Sequence, residues 1–359
     1  MTLAQKNARF SYNNYLDAST VETSGNQSGY PASNLFHAIR SKLWKAANLY
    51  EIHEKNCKIY INGTTYTVDT GSYTFAQLKT KIETACASQG LTLSQGSGDR
   101  IVISFAADKT LNISNQTDAI WFTLGFLGTT DRTGSILSAD ERRYNTGAWI
   151  KVDLGMPQDV DFAALLAPAG EVFNCDTATI RLQGNNLDIW QDDIPVDQEF
   201  EVSGEGAFFS GTVEQPCRFW RIYIDDRTNN AIQAAVGFMG SSVIPVNTNI
   251  ATGFTRSRED TSIKLVSESG SFYIDRRPKV LSLSSISVQL LKDDELMELE
   301  ELFYDLGIEK PFFLSIDPKK QVSQNLRQMT HYVAVTSPLQ LQHVLRGYYN
   351  LSVELREVV

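Results

Sequence analysis

Two turn-rich stretches carry the side chains best suited to binding chemistry. In "GNNLDIWQDDI" an indole, Trp190, is followed by the carboxylates Asp192 and Asp193. In "YIDDRTNN" two carboxylates precede the amides Asn229 and Asn230. An aromatic face beside planar polar groups can hold a sugar ring, and turns at sheet ends are where such groups are presented. Trp190, Asp192, Asp193, Asn229 and Asn230 therefore form the expected ligand-binding set. The oxygen-rich stretch 223–230 has ligand types that suit calcium but no recognisable loop spacing, so no metal and no cofactor are expected.

Catalytic signatures are missing from the sequence. Of the four histidines, His53 precedes Glu54 without the second histidine of a zinc helix, and His331 and His343 lie in strand-like runs. No G-x-S-x-G elbow, phosphate loop or G-x-G-x-x-G after a strand occurs. The glycines of "SGEGAFFSG" read as a turn, because no helix follows them. Carboxylate pairs such as Asp225–Asp226 and Glu300–Glu301 are sequence neighbours that point apart in an extended chain, whereas glycosidases need two carboxylates facing each other across a cleft. An enzyme is not expected.

Bulk properties narrow the classes further. A chain of 359 residues, 42% hydrophobic and 21% charged, has enough apolar material for two or three cored domains. The formal charge of −10 argues against a broad phosphate-binding surface, so no nucleic-acid partner is expected. The start "MTLAQKNARFSYNNYL" lacks a signal-length apolar segment, and the most apolar run, "DFAALLAPAG", is short and broken by Pro168. Membrane insertion is therefore not expected. Cys57, Cys86, Cys175 and Cys217 are widely spaced and read as buried thiols of a chain made in a reducing cytosol.

The elements that must position these residues are mostly strands. Short alternating or apolar runs, among them "RIVISF", "WIKVDLG", "ATIRLQG", "FWRIYID" and "YYNLSVELREV", are separated by Gly, Asn, Asp and Ser clusters. Two helices stand out. Thr74 and Gln77 form a capping box ahead of Phe75, Leu78, Ile82 and Ala85 on one face, with Gly90 beyond. Asp293 or Asp294 caps a second helix with Leu296, Leu299, Leu302, Phe303 and Leu306 on its apolar face, ended by Gly307 and Pro311. The apolar run 118–128 fits either a short helix or a buried strand.

Order and spacing carry a resemblance. "YPASNLFHAIRSKLWKA", "AWIKVDLGMPQDVDFAALL", "ATIRLQGNNLDIW" and "CRFWRIYIDDRTNN" resemble a discoidin-type, galactose-binding-like jelly roll, with Trp44, Trp149, Asp153, Gly155, Trp190, Trp220 and Arg221 in matching places. Trp44 and Trp149 are expected in its core. The motif is interrupted after Trp44 by about a hundred residues that hold an Asn62–Gly63 hairpin, the Thr74-capped helix and a hairpin through "SQGSGDR". That piece is similar to small modules of viral capsid and tail proteins. The C-terminal segment, with its helix, the Gly307–Pro311–Phe312 turn and a last strand containing Val353 and Glu354, resembles the split barrel of phage tail-tube and tail-tip proteins.

The expected fold is thus mainly β with some α. Residues 1–47 and 146–242 form a jelly-roll sandwich, 48–145 an inserted α+β domain, and 243–359 a split barrel with one helix. The resemblance implies a structural protein at the tail tip of a tailed bacteriophage. Such a protein assembles in host cytoplasm as a ring or hetero-complex with tail tube, hub and fibre proteins. The alternative is a lectin-like protein that recognises host surface glycans.

Overall fold

Alternation in "WIKVDLG" and "RFWRIYID" buries every second side chain, and this period of two builds the first of two facing sheets. The computed structural model describes residues 7–316 and 329–359, apart from Ser19, Ala38, Gln116, Asp192 and Ser269. The first sheet is antiparallel, in the order Val196–Glu199, Thr179–Asn185, Cys217–Asp225, Ala148–Gln158 and Val21–Thr23. Ile150 lies opposite Ile222 and Val152 opposite Trp220, so the inward residues stack across strands. The second sheet begins Glu201–Ser203, Gly206–Ser210, Phe162–Leu166, Val236–Val243 and Arg9–Asn14. Between the two layers lie Trp44, Ile150, Leu165, Ile180, Trp220 and Met239, all fully buried. The chain is mainly β, and its sheets are open, as in a jelly-roll sandwich.

The second sheet does not stop at the sandwich. Arg9–Asn14 pairs on one edge with Val236–Val243 and on the other with Phe312–Ser315, so Phe10 lies between Val243 and Leu314. The sheet continues through Thr330–Val335, Tyr348–Glu357, Lys279–Leu291 and Thr255–Asp260, with Gln340–Leu345 also beside Tyr348–Glu357. Ser241, Ser242 and Val243, at the expected boundary between sandwich and barrel, end a strand of this sheet. The Asp293–Leu306 helix covers one face of the C-terminal strands, burying Leu299, Leu302, Phe303 and Leu306 with Phe10, Leu283 and Val353. This helix starts one or two residues earlier than the carboxylate caps Asp293 or Asp294 predict. Lys292 stands at its N-cap, and Glu295 accepts the Lys292 N–H (3.4 Å), leaving Asp293 and Asp294 in the first turn.

The segment between the two halves of the sandwich has a core of its own, built from Ile59, Leu78, Ile82, Leu93, Ile103, Leu111 and Trp121 among others. Its helix, Phe75–Ala85, carries the Thr74–Gln77 capping box, and Asn62 (φ 50°) and Gly63 (φ 76°) make the hairpin turn. Residues 118–128 are neither helix nor strand but consecutive turns that bury Ile120, Trp121, Leu124 and Phe126. The chain enters and leaves this unit side by side. The Thr146 N–H donates to the Leu49 carbonyl (3.1 Å) and the Tyr50 hydroxyl to the Arg143 carbonyl (2.5 Å). All four cysteines are buried free thiols. Among the described residues, no helix is long and apolar enough to cross a membrane.

Candidate functional site

A cleft of about 670 Å³ opens between the outer face of the first sheet and the inserted unit. Its floor follows from strand register. Trp149 lies opposite Tyr223, and Arg221 lies opposite Lys151 on one side and Gln183 on the other, so all five side chains share the face turned away from the core. One wall is the loop after the Thr179–Asn185 strand, with Asp188, Ile189 and Trp190. The opposite wall comes from the insertion, through Glu51, His53, Asn56 and Phe122.

The two indoles are fixed by their edges. Trp149 Nε1 donates to Glu51 Oε1 (2.7 Å), a bond that also ties the insertion to the sheet. Trp190 Nε1 donates to Asp188 Oδ1 (2.6 Å). Lys151 Nζ binds both Asp188 Oδ2 (2.6 Å) and Glu22 Oε2 (2.9 Å) and lies 5.6 Å from the centre of the Trp149 ring. The Arg221 guanidinium lies 4.4 Å from the Trp190 ring and 5.0 Å from the Tyr223 ring, while its Nε donates to Gln183 Oε1 (2.7 Å). Rings held by their N–H edges keep their orientation, which is what stacking on a flat ligand requires.

Electrostatics sharpen the picture. Burial would raise the Asp188 carboxyl, but its hydrogen bonds from Lys151 and Trp190 outweigh that and hold it below the usual carboxylate range. Burial lowers Arg221 to about 10, against the pull of Tyr223, Glu51, Asp197 and Asp188, and it remains cationic at neutral pH. Burial also lowers His53, opposed by Glu51 and reinforced by Lys55 and Arg227, which favours the neutral imidazole. The lining then holds four cations (Lys55, Lys151, Arg221, Arg227) against two carboxylates (Glu51, Asp188), in a chain whose net charge is −10. Such a surface can stack a ring face, donate several hydrogen bonds and attract negative charge. Among the described residues, no group of His, Cys, Asp and Glu is arranged to hold a metal ion.

The structure separates the residues that the sequence grouped. Trp190 lines the cleft. Asp193 is exposed, has φ 41° and does not line it, and Asp192 lies outside the described residues. Asn229 and Asn230 belong to the neck of the insertion. The Asn229 amide donates to Asp226 Oδ2 and the Asn174 carbonyl (3.0 Å each), and its Oδ1 accepts the Ala231 N–H (2.9 Å). The backbone carbonyls of Asn229 and Asn230 accept the side chains of Asn145 (3.0 Å) and Asn48 (3.1 Å). Asp225 pairs with Arg227 (2.9 Å), so the carboxylates of 223–230 do not converge on a cation position.

Trp149 is the main correction. Expected in the core, it is half-buried on the cleft floor, because the alternation that buries Ala148, Ile150 and Val152 points position 149 the other way. The same phase places Lys151, Gln183, Arg221 and Tyr223 on that face, and that signal was present in the sequence. The strand runs past Gly155 (φ 74°) to Gln158 through a register shift.

The sequence matches no family model and no curated protein. Among solved structures, the chain is similar to the CpGH89CBM32-4 module of Clostridium perfringens, at 12% identity and a TM-score of 0.27, over 64% of this chain and 100% of that one. It is also similar to the CBM32-1, CBM32-2 and M60 catalytic domains of ZmpB from Clostridium perfringens, at 8% identity and a TM-score of 0.28. That match covers 66% of this chain and spans 17% of the other. Overlap at this level assigns no ligand or role to any residue of the chain.

Proposed function

We propose that this protein binds glycans in the cleft between the sandwich and its insertion. The carrying observation is the pair of edge-fixed indoles, Trp149 and Trp190, set beside the hydrogen-bonding groups of Gln183, Asp188, Asn56 and Arg221. Sugar rings offer an apolar C–H face and a periphery of hydroxyls, and the cleft offers the complement of each. The test is a glycan array probed with the full chain and with Trp190→Ala. The wild-type chain binds a defined set of oligosaccharides, and Trp190→Ala binds the same set at least about tenfold more weakly, equivalent to about 1.4 kcal/mol. Equal binding by both proteins, or none by either, overturns the reading.

A second reading, assembly into a virion tail tip, has a separate observation in its favour. The Ile263–Val266 and Phe272–Asp275 strands form a hairpin on which Leu265, Val266, Phe272 and Tyr273 are each about 60% exposed or more. A hairpin this apolar on both faces is an interaction element or an aggregation liability. It carries Lys264 and is followed by Arg276 and Arg277, whereas a groove on the C-terminal helix is lined by Glu300, Glu301, Phe303, Tyr304 and Leu339. Apolar-basic against apolar-acidic fits a head-to-tail contact between copies of this chain, the kind that closes into rings. Tail tube, hub and fibre proteins would be the further neighbours, with the virion as the site of residence. Mass measurement in solution gives an oligomer for the wild-type chain and a monomer for the Phe272→Ser/Tyr273→Ser variant. A monomeric wild-type chain at high micromolar concentration contradicts this reading.

A further inference from the structure

We propose that the cleft selects carboxylated sugars and that Arg221 receives the carboxylate, an inference that rests on the glycan-binding reading above. Arg221 differs from Lys151 and Arg227 in how it is satisfied. Lys151 has carboxylate partners in Asp188 and Glu22, and Arg227 has Asp225. Arg221 forms no ion pair among the described residues, and its hydrogen-bond partners are the neutral oxygens of Gln183 (2.7 Å) and of the Trp190 backbone (3.5 Å). It is nevertheless only 8% exposed.

A guanidinium buried to that extent without a counter-ion carries a desolvation cost that an incoming anion relieves. The neighbouring carboxylates do not fill that role. Glu51 is held by the Trp149 indole, Asp188 by Lys151 and the Trp190 indole, and Asp197 by Arg181 and the Gln183 amide, and all three act on Arg221 only from beyond ion-pair distance. The geometry also suits a planar anion. Rings of Trp190 and Tyr223 at 4.4 and 5.0 Å fix the guanidinium plane, and Gln183 holds its Nε. A guanidinium fixed this way is a preorganised donor fork for a carboxylate, which an ammonium cannot reproduce. The sugar ring would stack on the adjoining indoles while its carboxylate meets Arg221. Hexuronic acids and sialic acids both present that group, so the shared chemistry is a carboxylate attached to a pyranose ring.

Calorimetric titration of the full chain with two matched pairs tests this. One pair is an oligogalacturonate and its carboxyl-reduced neutral counterpart, and the other is sialyllactose and lactose. The acidic member of at least one pair binds more than tenfold more tightly than its neutral partner, and the identity of that pair names the source. Arg221→Lys, with its fold checked by thermal melting, reduces that preference to less than threefold. Equal binding of acidic and neutral members overturns the assignment but leaves glycan binding standing. An undiminished preference in Arg221→Lys overturns the role of the guanidinium. Absence of binding by all four sugars overturns this inference and, if the array is also blank, the glycan reading with it.

Discussion

Asp153 and Arg218 show how outward-facing residues of the first sheet are organised. Arg218 Nε and Nη2 meet the two oxygens of Asp153 at 2.7 Å each, a two-pronged pair. The Arg218 hydrogen bond, with one from the Gly155 N–H, lowers the Asp153 carboxyl to about 2. A carboxylate with a depressed folded-state pKa adds stability above its unfolded pKa, and that contribution disappears as pH falls through the folded value. The pair is solvent-screened, so the effect is small. Asp153→Asn is expected to lower Tm slightly at pH 7, with the deficit shrinking below pH 4 and vanishing near pH 2. A deficit that is the same at pH 2 and pH 7 would show that the charge is not the cause. Residues of this kind were visible in the sequence as the polar phase of a strand, and Trp149 belongs to the same phase. Its type suggested a core, and its position placed it on the cleft floor.

At the scale of elements, the first strand joins two parts of the molecule that the sequence presents as separate. Phe10 is fully buried, 6.2 Å from the Phe303 ring and 6.4 Å from Phe312, while its backbone neighbours come from both the sandwich and the C-terminal strands. Phe10→Ala removes a ring from that junction and is expected to cost about 3–5 kcal/mol. Because one sheet crosses the junction, calorimetry should show sandwich and C-terminal strands melting together and shifting together in Phe10→Ala. Two transitions of which only one moves would contradict that coupling. The local elements were legible in advance, since the Thr74 cap, the Asn62–Gly63 turn and the apolar face of the Asp293–Leu306 helix are all short-range patterns. The junction was not, because Phe10 pairs with residues more than two hundred positions away, and nothing in a period-two pattern specifies which strand lies alongside.

For the whole molecule, the site arises from the way one unit is set into another. The insertion is clamped at its neck by Asn145, Asn48 and the 225–230 turn, and its Glu51 bonds to Trp149 on the sheet. The sequence led to the expectation of an insertion over residues 48–145. It could not disclose that the insertion walls a cleft, because that depends on the angle set by those tertiary hydrogen bonds. For the same reason Asn229 and Asn230, polar and turn-rich like a ligand loop, hold the neck. The chain has five tryptophans, of which Trp44, Trp121 and Trp220 are fully buried and only Trp149 and Trp190 line the cleft. Indole ¹⁵N-labelled protein titrated with the acidic oligosaccharides therefore reports the site directly by NMR. The expected result is movement of the Trp149 and Trp190 indole signals while the other three stay in place. Saturable binding that leaves both cleft indoles unmoved would contradict the assignment of this cleft as the glycan site.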